Sequence, residues 1–135
     1  TLVGGWSTRR MRTYMEDWLT DDRIRVAPGD PLPALHAADV FVHPTYEDGF
    51  GYAPMEALAC GVPVIVTEDT GMKEYVREPN NGYVVPTGRV APIVDRLTHL
   101  RRHPRAATSS LLPPTYDEER TSPETEARTP GTTNA

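Results

Sequence analysis

One cysteine, Cys60, stands in a chain of 135 residues. No disulfide can close within it, and neither a zinc cluster nor a disulfide-stapled secreted scaffold is open to it. A reducing, cytoplasmic setting is the expectation. Long apolar runs are missing too. No stretch reaches the roughly 18 apolar residues of a membrane span, and no basic segment with an apolar core opens the chain as a signal peptide would. Basic charge is short: 14 Lys and Arg face 19 Asp and Glu, for a net charge of -5 and a pI near 5.3. That balance argues against a nucleic-acid partner, because counterion release from phosphates needs clustered cations. An initiator Met is also lacking. The chain begins Thr1-Leu2-Val3-Gly4-Gly5, entering at once into a strand end, and is expected to be a piece of a longer protein.

What is present suits one soluble domain: 38% hydrophobic and 24% charged residues. Leu2-Val3 is expected to end a buried strand, with Gly4-Gly5 as the turn into a helix. Met11, Tyr14, Met15, Trp18 and Leu19 fall at helical spacing and predict one buried face. Ile24 and Val26 predict a short strand stopped by Pro28-Gly29, and Leu32, Leu35 and Ala38 a short helical face. Val40-Phe41-Val42 is a compact apolar run suited to a strand covered on both sides. A helix is expected over Pro54 to Ala59, with Pro at its first position and Gly61 past its end. Val62 to Val66 is expected as a strand, Gly71 to Arg77 as a short helix, and Asn80-Asn81-Gly82 as a turn before strand Tyr83 to Val85. Val90, Ile93, Val94, Leu97 and Leu100 mark a closing amphipathic helix.

Strands alternating with helices predict an α/β fold with a Rossmann-like parallel sheet, helices on both faces and right-handed crossovers. Ligands in such sheets sit beyond the carboxyl ends of the strands, which singles out the loops after Val26, Val42 and Val66. After Pro104 the composition turns to Thr, Ser, Pro and acid. Residues 105–135 are therefore expected to be a disordered tail, leaving 1–104 as the domain.

Residues 44 to 67 read PTYEDGFGYAPMEALACGVPVIVT. They place Asp48, Gly49, Gly51 and Glu56 between a buried strand and the start of a helix. The glycines let backbone amides approach a ligand, and the helix N-terminus favours a phosphate. A carboxylate such as Glu56 accepts from two neighbouring hydroxyls at once, as a ribose cis-diol or a hexose presents them. Each feature has a plainer explanation as well: Glu56 as a complement to the helix dipole, Asp48 as a turn residue, Phe50 as core packing, Cys60 as a small buried apolar group. His36, His43, His99 and His103 lack metal-ligand spacing. His43 sits at a strand end near the site, where a structurally satisfied histidine is favoured over a catalytic one. Arg101, Arg102 and Arg105 read as a solvated helix end in preference to a lipid-facing patch.

The segments AADVFVHPTYEDGFGYAPMEALACGVPVI, TEDTGMKEYV and NGYVVPTG resemble the retaining GT-B glycosyltransferases of the group 1, or family 4, type. The resemblance covers residues 2 to about 104 and implies the C-terminal, donor-binding half of a GT-B fold. In that family an acidic residue precedes a G-F-G-like turn and a Glu follows eight positions later. Asp48 and Glu56 have that spacing, with Asp48 where the family usually carries Glu. Carried over by position, the resemblance implies that Glu56 binds the donor ribose and that Asp48 approaches the transferred sugar. It sets the backbone of Gly49, Phe50 and Gly51 against sugar and diphosphate, and Ala27 and Pro28 against the base. Glu74 matches a commonly acidic position without an assigned role.

The function so implied is transfer of a hexose, with retention, from a UDP- or GDP-sugar to a glycan, lipid or small-molecule acceptor. No metal and no cofactor are expected. The family's Arg and Lys diphosphate clamp and its acceptor domain would precede Thr1, so these residues are expected to be inactive alone. The location implied is cytoplasmic, with peripheral contact at the inner membrane face left open. A non-catalytic nucleotide-sugar-binding or regulatory module, an interaction protein acting through its tail, and a related sugar phosphorylase or synthase stand as alternatives.

Overall fold

The computed structural model describes residues 1–4, 8–16 and 18–103. Its strands are β1 (Leu2–Val3), β2 (Val26–Ala27), β3 (Phe41–His43), β4 (Val64–Thr67) and β5 (Gly82–Val85). Its helices are α1 (Arg9–Met15), α2 (Leu32–His36), α3 (Tyr52–Ala59) and α4 (Val90–Arg102). Single 3-10 turns lie at Trp18–Thr20 and Gly71–Tyr75.

Every strand pair is parallel, but the ladder comes in two pieces: β1 with β2, and a three-stranded sheet in the order β3-β4-β5. Parallel neighbours need a crossover, and α3 supplies it between β3 and β4. The central strand β4 is buried along its whole length. Its alternation divides the core in two. Val64 and Val66 point to one face, where they pack with Leu35 of α2, Ala57 and Leu58 of α3, Val62 and Met72. Ile65 points to the other, with Tyr83 and Val85 of β5 and Leu100 of α4, flanked by Val40, Val42, Ile93 and Leu97. This is the Rossmann-like arrangement the apolar runs predict, with helices covering both faces. Each large side chain so buried contributes about 1.5–3 kcal/mol.

Several expectations need correction. The stripe Met11, Tyr14, Met15, Trp18 and Leu19 does form a helix as far as Met15, but its face is not a buried one: α1 has no buried residue, Met11, Tyr14 and Trp18 are exposed, and Met15 and Leu19 are only partly covered. The helix ends there and Trp18 lies in a separate 3-10 turn, so the i, i+7 relation that would align it with Met11 is lost. Leu2 and Val3 are exposed as well, since β1 is only two residues long and pairs with an equally short β2. In α4 the buried face is narrower than the periodicity predicts. Ile93, Leu97 and Leu100 meet the sheet, while Val90 and Val94 face outward. The turn predicted at Asn80-Asn81-Gly82 does form ahead of β5, and within it Asn81 is buried, its side-chain oxygen accepting from the Arg77 amide at 2.7 Å and its side-chain nitrogen donating to the Tyr75 carbonyl at 3.0 Å. Cys60 is partly buried against the core.

Asp21 and Arg23 form an exposed pair. The Arg23 guanidinium and, second, its backbone amide bond the Asp21 carboxylate, holding that carboxyl below its usual range and raising the guanidinium. The expected tail at 105–135 and the position of Gly5 lie outside the described residues. Within them, no helix is long and apolar enough to cross a membrane.

Candidate functional site

The site is built by one loop, residues 44–51, which leaves the carboxyl end of β3 and becomes α3. Polar side chains of β4 and the segment after it pin this loop. Thr67, the last residue of β4, is buried and donates its hydroxyl to the Thr45 carbonyl at 2.6 Å. Asp48 forms an isolated parallel bridge with Thr70: its amide donates to the Asp69 carbonyl at 3.1 Å, and its carbonyl accepts from the Gly71 amide at 3.3 Å. The Thr70 hydroxyl donates to the Phe50 carbonyl at 3.4 Å and accepts from the Met72 amide, capping the 3-10 turn. The Phe50 ring lies 5.1 Å from Tyr52 and 5.6 Å from Tyr75, contacts worth about 0.5–1.5 kcal/mol each.

Gly51 closes the loop as the residue before α3, at φ 80° and ψ 69°. That left-handed conformation is cheap only for glycine. No side chain caps α3, so the first amides of this helix stay open toward the loop, with the partial positive charge of the helix end behind them. The helix starts at Tyr52, two residues before the predicted Pro54. Pro54 is tolerated at the third position because the first turn's amides have no intrahelical acceptor.

The early start changes the meaning of Glu56. As the fifth residue of α3 it lies past the first turn, where the dipole's hold has largely faded, so dipole complementation no longer accounts for it. Its side chain is exposed and, among the described residues, has no hydrogen-bond or ion-pair partner. Asp48 is half-buried, with one carboxylate oxygen, Oδ2, 2.8 Å from His43 Nε2 and 3.5 Å from where a Cβ on Gly51 would stand. Asp48, Gly49, Phe50 and Gly51 thus share one loop with the open end of α3 above Glu56. Ala27 and Pro28 are not joined to it. Ala27 ends β2 in the other sheet, and among the described residues no hydrogen bond or ring contact links either residue to the loop.

Lys73 is the one Lys or Arg in residues 44–76, and its ammonium donates to the Glu68 carbonyl at 2.7 Å. Glu74 is exposed on the 3-10 turn. Among the described residues, no group of three His, Cys, Asp or Glu could hold a metal ion. His43, placed near the site by the sequence, is the partner of Asp48, while the supports of the loop, Thr67, Thr70 and Gly71, were not singled out by the sequence pattern. Thr70 before Gly71 was legible as a cap signal for the 3-10 turn, but not its reach to Phe50.

Several glycosyltransferases are similar to this chain in sequence. A D-inositol 3-phosphate glycosyltransferase of Salinispora tropica is 43% identical over 68 residues, 47% of this chain and 14% of that protein. The putative colanic acid biosynthesis glycosyltransferase WcaL of Salmonella typhimurium is 32% identical over 120 residues, 82% of this chain and 29% of that one. Among solved structures, Anabaena HepE in complex with UDP-glucose superposes with a TM-score of 0.72 at 20% identity, over 82% of this chain and 34% of that chain. Sucrose-phosphate synthase from Thermosynechococcus elongatus does so with 0.69 at 25% identity, over 82% and 30%. The chain therefore spans less than a third of the curated relatives named here. The family described as glycosyl transferases group 1 matches residues 1–109, and this chain belongs to it.

Proposed function

We propose that this chain is the donor-binding part of a retaining hexosyltransferase that uses a nucleoside diphosphate sugar. The observation that carries the reading is the placement of Glu56, an exposed and unpartnered carboxylate one turn beyond the uncapped start of α3. Diphosphate oxygens suit the open amides of the helix end, and a ribose diol suits the Glu56 carboxylate. Asp48 stands on the sugar side of the loop, and Gly49, Phe50 and Gly51 offer backbone to sugar and diphosphate. Ala27 and Pro28 take the base on this reading. HepE, whose fold is similar, was solved with UDP-glucose, which supports a UDP-sugar as the first donor to try; a GDP-sugar is the second.

Departure of the diphosphate calls for stabilisation of developing negative charge. Lys73, the cation of the 44–76 segment, is engaged with the Glu68 carbonyl. These 135 residues by themselves are therefore expected to bind donor without transferring its sugar. The acceptor is a glycan, lipid or small molecule, and no metal takes part. Calorimetric titration with UDP, UDP-glucose, GDP and GDP-mannose, with amide shifts followed over Gly49 to Glu56, tests the reading. Binding of one pair with shifts confined to that loop is expected. Absence of binding to all four would overturn it.

A further inference from the structure

We propose that His43 is a positioning residue for the donor sugar: it grips one oxygen of Asp48 and so presents the other to the ligand. The inference rests on the donor reading above, in which Asp48 faces the transferred sugar.

The ring and the carboxylate come from opposite ends of the loop 44–47. His43 ends β3, paired with Val66 of β4. Its ring stacks on Phe41 two residues earlier, 6.3 Å away at an interplanar angle of 20°. Phe41 in turn packs against the core face that α3 covers. The imidazole therefore leaves a rigid strand and rests on an anchored ring. Asp48 is fixed at its backbone by the Asp69 carbonyl and the Gly71 amide. What the backbone leaves free is the side-chain rotation, and His43 Nε2 settles it by meeting Oδ2 at 2.8 Å. A carboxylate has only acceptor atoms, so the imidazole donates and Nε2 carries the proton. Among the described residues, Oδ1 has no partner. The two side chains are 22% and 32% exposed, buried enough to hold one geometry and open enough for a hydroxyl to reach Oδ1. An acceptor locked before the ligand arrives loses less rotational freedom on binding.

The test compares UDP with UDP-glucose, and GDP with GDP-mannose, on the wild-type chain and on His43→Leu and His43→Gln, using whichever pair binds. The wild type is expected to bind the sugar nucleotide more tightly than the bare nucleotide. His43→Leu should shrink that preference about tenfold, and His43→Gln, which keeps a donor, should restore most of it. A Leu variant that keeps the full preference, or weakens both ligands equally, overturns the proposal while leaving the donor reading in place. A wild type that binds sugar and bare nucleotide alike also overturns the role of His43 and leaves the donor reading in place, whereas one that binds neither pair overturns the donor reading and the role of His43 with it. Ring nitrogen NMR shifts of the wild type guard against misfolding of the Leu variant. Nε2 of His43 is expected to be protonated and to change in Asp48→Ala; a ring indifferent to that change overturns the pairing.

Discussion

Gly71 packs so tightly on Gly49 that a Cβ added to Gly71 would overlap the Gly49 carbonyl oxygen and stand 3.3 Å from the Phe50 Cα. The loop 44–51 is thus seated on the 3-10 turn by backbone against backbone. Gly71→Ala is expected to cost roughly 1–3 kcal/mol, as overpacking does, and to weaken nucleotide binding by displacing Gly49 and Phe50. Chemical denaturation together with a nucleotide titration checks both. An Ala variant with wild-type stability would show that the loop yields without cost.

Gly51 has a separate reason to be glycine. A Cβ there would lie 2.9 Å from Thr70 Oγ1, and the residue holds φ 80°. Gly51→Ala should lose roughly 1–2 kcal/mol from the left-handed backbone alone and loosen the start of α3. Thermal melting is the measurement, and a shift under a few degrees would contradict it.

Glu56→Gln should behave in the opposite way. The side chain is exposed and unpartnered among the described residues, so stability should stay within about 0.5 kcal/mol. Removing a charge-assisted bond of about 1.5–3 kcal/mol should weaken sugar-nucleotide binding roughly 10- to 100-fold. Calorimetry on the folded variant decides the matter, and unchanged affinity would remove Glu56 from the site.

Met72 and Thr67 report on the scaffold beneath. Met72 is fully buried, and Met72→Ala is expected to cost about 2–5 kcal/mol. Thr67→Val deletes the hydroxyl that bonds Thr45 and strands a carbonyl, for about 1–3 kcal/mol. Urea midpoints give both values. If Thr67→Val were neutral, the tie between β4 and the loop would carry no energy.

The Asp21 carboxyl is held below its ordinary 3.8 by Arg23. A lowered folded value means a stabilising contribution present above the unfolded value and lost as the pH falls through the folded one. The Arg23 guanidinium is exposed and the Asp21 carboxylate partly so, so solvent screening should let the acid limb of the stability profile move only slightly in Arg23→Ala. The Asp21 carbon shift, by contrast, should titrate higher in that variant. An unmoved titration would show that solvent screens the pair.

Much of this protein was legible in its sequence because periodicity is local. The valines of β4 and the run around Phe41 mark strands wherever they are placed. The eight-residue spacing of Asp48 and Glu56, with glycines between, puts both acids on one loop and helix. The stripe at Met11, Tyr14 and Trp18 misled because a periodic pattern records a face without recording what covers it. Tertiary structure alone decided the rest. Whether His43 meets Asp48, whether Thr67 reaches Thr45 and whether Thr70 reaches Phe50 depends on the register of β3 on β4, which brings together groups 20 and more residues apart in the latter two cases. The chain's own order determined which residues could form a site; the parallel pairing of β3 and β4 decided which of them hold it in shape, because hydrogen bonds answer to distance in space and not along the chain.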